Sequence, residues 1–106
     1  MKTEIYDLLG LARRAGKIAA GDTAVEACLK KRKGALLIIA GDAPGSLKKY
    51  QQWAADLGIA VLNTGEKRTL GEALGLSPRA VVLVMDEGFS RLILKRGVEA
   101  GHTMGC

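Results

Sequence analysis

Side chains able to do covalent chemistry are sparse in this sequence. Its one histidine, His102, lies in a Gly-rich final stretch, and its two cysteines, Cys28 and Cys106, have no neighbouring base to generate a thiolate. No Gly-x-Ser-x-Gly elbow and no Gly-Lys-Ser/Thr phosphate loop occurs. Asp42 and Asp86 each follow an apolar run, where α/β sheets take ligands, so a phosphometabolite enzyme would use them. The plainer reading is that each fixes a turn or caps a helix. The loop Gly41 to Gly45 offers amides to an anion but has neither dinucleotide spacing nor a lysine inside it. His102 and Cys106 are too few ligands for a metal site, and no cofactor is implied.

The cations carry more information. Sixteen Lys and Arg against eleven Asp and Glu give a net charge of +5, which favours a polyanion partner. Lys30-Lys31-Arg32-Lys33 closes a helical segment, where positive charge also complements the helix dipole. On a helix, Thr23, Ala27 and Lys31 form one outward stripe, opposite Val25, Cys28 and Leu29, with Lys30 at its border. A small, polar face of this kind lets a phosphate backbone approach the amides of Gly21, Asp22 and Thr23. Lys17 and Lys33 add charge nearby in sequence, whereas Lys48-Lys49 and Lys67-Arg68 read as solvated faces.

These residues need elements to position them. Ile5, Leu8, Leu9 and Ala12 recur at helical spacing, and Arg13-Arg14 with Gly16 end that helix. Ile18 to Ala20 reads as a short strand. A second helix begins near Gly21 to Thr23, where Thr23 and Glu26 have capping-box spacing. Leu36 to Ala40 and Ala80 to Met85 are continuously apolar, as strands covered on both faces are. Between them, Ser46 caps a helix burying Leu47, Tyr50, Ala54 and Leu57. A strand at Ile59 to Leu62 and a short helix from Thr69 to Leu74 follow, with Gly75 and Pro78 beyond it. Asp86 leads into a last helix with Phe89, Leu92 and Ile93 inward. The alternation predicts a three-layer α/β/α sandwich on a central four-stranded, mostly mixed sheet, as one domain over 1–96 with a flexible tail over 97–106. With 48% hydrophobic and 25% charged residues, disorder is not the dominant state. No apolar run is long enough to span a bilayer, Leu8 to Ala12 runs into Arg13-Arg14 rather than forming a signal peptide, and the chain reads as cytoplasmic.

Here the sequence resembles a family. Gly21 before a helix, Leu36-Leu37-Ile38-Ile39-Ala40-Gly41-Asp42, Leu70-Gly71-Glu72-Ala73-Leu74-Gly75 and Val81-Val82-Leu83-Val84 form an ordered set. The set is similar to the kink-turn-binding ribosomal protein superfamily (the L-seven-Ae and L-thirty-e class). Leu9-Gly10-Leu11-Ala12-Arg13-Arg14-Ala15-Gly16-Lys17 and Asp86-Glu87-Gly88-Phe89 point to its bacterial YlxQ-type branch, over about residues 4 to 95. The resemblance implies a non-catalytic domain that binds structured RNA through the start of the second helix and the loop after the fourth. It puts Leu76 and Pro78 under an extruded base, with Arg79 as a cation. The family commonly has Asn, Glu and Lys at the helix start, reading sheared purine pairs. Thr23, Ala24 and Ala27 stand at those positions, while Gly21 and the basic Lys31 match.

The leading expectation is therefore a monomeric binder of kinked or internally looped RNA, in particular ribosomal RNA. Its expected contacts are Lys17, Gly21, Asp22, Thr23, Ala27, Lys30, Lys31, Lys33, Leu76, Pro78 and Arg79. The alternative is a protein-interaction adaptor on the ribosome or translation machinery with little specific RNA recognition. Salt dependence separates the two, because phosphate contacts release counterions. No membrane partner is expected.

Overall fold

Apolar runs become strands and stretches of 3.6-residue period become helices, alternating along the residues that the computed structural model describes, 2–99 and 103–105. In chain order they are α1 (Lys2–Arg14), β1 (Ile18–Ala20), α2 (Asp22–Lys30), β2 (Leu36–Ile39) and α3 (Pro44–Leu57). Then come β3 (Ala60–Asn63), α4 (Lys67–Ala73), β4 (Val81–Val84), α5 (Glu87–Glu99) and β5 (Thr103–Gly105). The sheet order is β1-β4-β2-β3-β5. Only β2 and β3 run parallel; every other pair is antiparallel, so the sheet is mixed as expected. In consequence the C-terminal ends of β1, β2 and β3 share one edge with the start of β4.

Each face of the sheet buries its own layer. Ile5 and Leu9 of α1, Leu70 and Leu74 at α4 and Ile93 of α5 pack on Leu36, Ile38, Leu62, Val82 and Val84. Val25 and Leu29 of α2 and Tyr50 and Ala54 of α3 pack on Leu37, Ile39, Val61 and Leu83. All eight residues of β2 and β4 are buried, which is why neither strand alternates in hydrophobicity. The three-layer α/β/α sandwich holds.

Local details differ from expectation in five places, the first being Leu92, expected inward on the last helix but 46% exposed. The sheet has a fifth strand, β5, in a segment where no element was expected. It pairs with the outer side of β3, Val61 opposite Gly105, and gives backbone partners to an otherwise open edge. Three residues, Thr-Met-Gly, are too short for a readable pattern. The second helix starts at Asp22, within the expected Gly21 to Thr23, but the Thr23–Glu26 box does not form, and Glu26 turns instead to Lys49 of α3. The helix expected from Ser46 begins at Pro44, whose fixed φ suits a first helical position. The short fourth helix starts at Lys67 because the Thr69 hydroxyl accepts the Glu66 N–H at 2.9 Å. His102 and Cys106 lie outside the described residues. Among the described residues, no helix is long and apolar enough to cross a membrane.

Candidate nucleic-acid interface

The sheet edge that collects the ends of β1, β2 and β3 is where the expected RNA-binding segments meet. Gly21 opens α2 with φ 89° and ψ 162°, a conformation essentially confined to glycine. Its N–H donates to the Val81 carbonyl at 3.0 Å, so β1 hands the chain to α2 directly beside the start of β4. That bond corrects the expected donor set. The Gly21 amide is occupied, and with no side chain capping α2, its first-turn donors are the amides of Asp22, Thr23 and Ala24.

The loop after α4 reaches the same place. A methyl built at Gly21 would stand 3.5 Å from Cδ and Nε of Arg79, so this side chain lies over the helix start. The loop is pinned from below. Gly71 carries no Cβ, which would fall 2.2 Å from the Ser77 carbonyl oxygen, and Ser77 and Pro78 therefore rest directly on α4. The Arg79 N–H donates to the Lys67 carbonyl, and the Lys67 N–H donates to Asp42 Oδ1, both at 2.9 Å. The loops after β2 and α4 are thereby tied together through the first residue of α4.

Arg79 is partly committed within its own loop. Its Nη1 donates to the Ser77 carbonyl and hydroxyl and to the Pro78 carbonyl, at 3.0, 2.6 and 3.2 Å. This orders the loop and leaves Nε and Nη2 without partners among the described residues. Leu76 is half-buried and packs on the α1–α4–α5 core, so it supplies less apolar surface than the resemblance implied. Pro78 is exposed beside Arg79.

Asp22 has a second attachment. Its Oδ1 accepts the Tyr50 hydroxyl at 2.6 Å, and Lys49 lies 3.8 Å away while donating to Glu26 at 2.6 Å. Burial, reinforced by the Asp22 carboxylate, pushes the Tyr50 hydroxyl far above its ordinary range, so it stays a neutral donor. The Lys49 ammonium holds Glu26 below the usual carboxylate range, and Glu26 in turn raises Lys49. Asp22 thus contributes its amide at the edge, while its carboxylate joins α2 to α3.

Other expected residues fall apart in space. Thr23, Ala24, Ala27, Lys30 and Lys31 are all exposed, so the outward stripe on α2 exists. Yet α2 is about 13 Å long, which puts Lys31 and Lys33 a full helix length from Gly21. Lys17 joins that distant group, because its carbonyl accepts the Met85 N–H after the far end of β4. Asp42 and Asp86 are likewise divided: β4 is antiparallel to β2, so the two aspartates follow strands that end at opposite edges. Each binds backbone, Asp42 at Lys67 and Asp86 at the Phe89 N–H. Their division removes the joint crevice that an enzyme reading needs. Among the described residues, no three His, Cys, Asp or Glu cluster as metal ligands do.

Sequence reasoning passed over Gly71 and Arg13. Both stand inside family-like motifs, where spacing alone gives Gly71 no role and gives Arg13 none beyond complementing the helix dipole. Arg13 Nη1 approaches within 3.8 Å of a Cβ position at Gly75, where the α4–β4 loop begins.

This three-layer domain, with its glycine-opened helix and proline-bearing loop at one sheet edge, has the fold of a class of small ribosomal-type proteins that are not enzymes. Residues 3–94 match the model of the Ribosomal protein L7Ae/L30e/S12e/Gadd45 family, and the chain belongs to that family. It is 28% identical over 92 residues to the RNA-binding protein YlxQ of Bacillus subtilis (strain 168), covering 86% of this chain and 92% of that protein. A solved structure of a protein with unknown function from Bacillus halodurans C superposes with a TM-score of 0.81 at 33% identity, covering 86% of this chain and 93% of the other. The Giardia lamblia 15.5kD RNA binding protein superposes at 0.75 with 23% identity over 93% and 88% of the two chains, a likeness of fold alone.

Proposed function

We propose that this protein is a non-catalytic RNA-binding protein that recognises kinked or internally looped RNA, with ribosomal RNA as its target. The observation that carries the reading is the packing of Arg79 over Gly21, which joins an uncapped helix start and an exposed Pro78 in one surface. Amides of Asp22 to Ala24 take a phosphate or a base edge, Pro78 supports an extruded base, and Arg79 neutralises the adjoining backbone. Lys30 and Lys31 continue this contact along α2, and Lys17 and Lys33 meet the backbone further out. Membership of the family and the likeness to YlxQ support the reading. The protein acts as a cytoplasmic monomer, in company with ribosome or translation-machinery proteins.

The test is a titration of the protein against a kink-turn RNA and a plain duplex, each over a series of salt concentrations. Tighter binding to the kink-turn, with affinity falling as salt rises, is the expected result. Arg79→Ala should lower kink-turn affinity more than duplex affinity. No preference between the RNAs would refute recognition of looped RNA, and absence of salt-dependent binding to either would leave the adaptor reading.

A further inference from the structure

A second charged surface adjoins the α4–β4 loop on its other side. The last turns of α1 and α4 lie close together because Gly10 stands where they meet; a methyl there would be 3.3 Å from the Ala73 carbonyl oxygen. Between them runs a groove of about 590 Å³, with Gly10 and Ile18 in its lining and Arg13, Arg14 and Glu72 as its charged residues. Glu72 is already matched by Arg68, 3.5 Å away on the same helix. Arg13 and Arg14 are exposed, and among the described residues neither has a hydrogen-bond or ion-pair partner. Attraction to the α1 dipole accounts for cations in this turn but not for Arg13 lying across to Gly75 on another element.

The loop from Gly75 to Ala80 thus has a guanidinium at either end, that of Arg13 beside Gly75 and that of Arg79 beside Gly21. Gly75 and Arg79 are separated by at most about 14 Å of chain. We infer that the α1–α4 groove is a second phosphate-binding surface, in which Arg13 and Arg14 hold the RNA strand leading away from the segment bound at the α4–β4 loop. This rests on the RNA-binding reading above. An acidic peptide would feel the same charge, but continuity with the loop favours one RNA strand over a separate partner.

The experiment compares wild type, an Arg13→Gln/Arg14→Gln double variant and a Lys48→Gln/Lys95→Gln double variant. The last loses equal charge from exposed positions on α3 and α5. The probe is a fluorescently labelled kink-turn RNA with both flanking stems, titrated from low to high salt. Loss of two phosphate contacts should lower the log–log salt slope of the arginine variant by about 1.6, at ~0.7–0.9 per phosphate. Extrapolated from 1 M salt, that is roughly a 20-fold loss of affinity at 0.15 M. The lysine variant should keep the wild-type slope, and thermal melting should be alike for all three.

Equal slopes for the two double variants, with wild type binding well, would overturn the groove and leave the loop interface standing. A wild type that binds no RNA would remove both. An unchanged RNA slope with arginine-dependent binding of a poly-glutamate peptide would assign the groove to a protein partner and refute the inference.

Discussion

Gly21 is the residue on which the proposed interface turns. Its φ of 89° and ψ of 162° lie where an L side chain is strained, even though a methyl would have room beside Arg79. Gly21→Ala should therefore cost about 1–3 kcal/mol of stability, read by urea denaturation, and should weaken RNA binding as the helix start shifts. Thr23, Ala24 and Ala27 set a separate limit. All three are exposed, and their side chains have almost no means of pairing with purine edges. Thr23→Asn, Ala24→Glu and Ala27→Lys together should improve discrimination between a kink-turn and a version with its purine pairs replaced. Each well-made polar pair contributes about 1–3 kcal/mol in such recognition. Their exposure means the longer side chains displace no core residue. If wild type already discriminates as well as the triple variant in paired titrations, other groups read the purines.

Two elements, α2 and α3, are joined by the Tyr50 hydroxyl on Asp22 and by Lys49 on Glu26. Tyr50→Phe should cost about 1 kcal/mol, the usual net worth of a hydrogen bond, since the Asp22 carboxylate stays hydrated. The same substitution should alter the response to alkali. The Tyr50 hydroxyl titrates higher in the folded than in the unfolded chain, mainly through burial. Its contribution is complete below the ordinary tyrosine value near 10 and is lost as pH rises beyond it, because the unfolded chain releases its proton first. The gap in denaturation midpoint between wild type and Tyr50→Phe should narrow above that pH. Glu26 acts oppositely: depressed by Lys49, it stabilises above the unfolded carboxylate range and loses its effect as pH falls. On α4, Gly71→Ala would set a methyl 2.2 Å from the Ser77 carbonyl oxygen and force the α4–β4 loop off its helix. Binding of looped RNA should fall in titrations, with about 1–3 kcal/mol lost in denaturation from overpacking.

Over the whole molecule, the cations behind the net charge of +5 include Arg79 at the glycine-opened sheet edge, Arg13 and Arg14 in the groove beside α1, and the Lys30 to Lys33 run at the far end of α2. Changing Lys30, Lys31 and Lys33 together to Ala should lower the salt slope by roughly 1.5, for about two phosphates, with little effect on folding. An unchanged slope would take the end of α2 out of the interface. The alternation of elements, the two fully buried strands and the small exposed stripe on α2 were all legible in sequence. Each depends on spacing within one segment, which side-chain burial and helix geometry translate directly. Helix starts were less legible, because Gly21 and Ala43 precede helices without a side chain that caps them, and the Glu66–Thr69 box that opens α4 has its residue types in the reverse of the usual order. That the sheet is mixed was expected, but which strand runs against which was not legible, since a buried apolar run reads the same beside a parallel or an antiparallel neighbour. Sequence by itself determined the five helices, the first four strands and most of the residues they bury, though not β5 or the exposure of Leu92. Only the tertiary structure decided that β4 runs against β2, because that choice is made by backbone hydrogen bonds between strands distant along the chain. That direction separates Asp42 from Asp86, and with the antiparallel pairing of β1 on β4 it lays Arg79 over Gly21 and leaves Lys17 and Lys33 at the far edge.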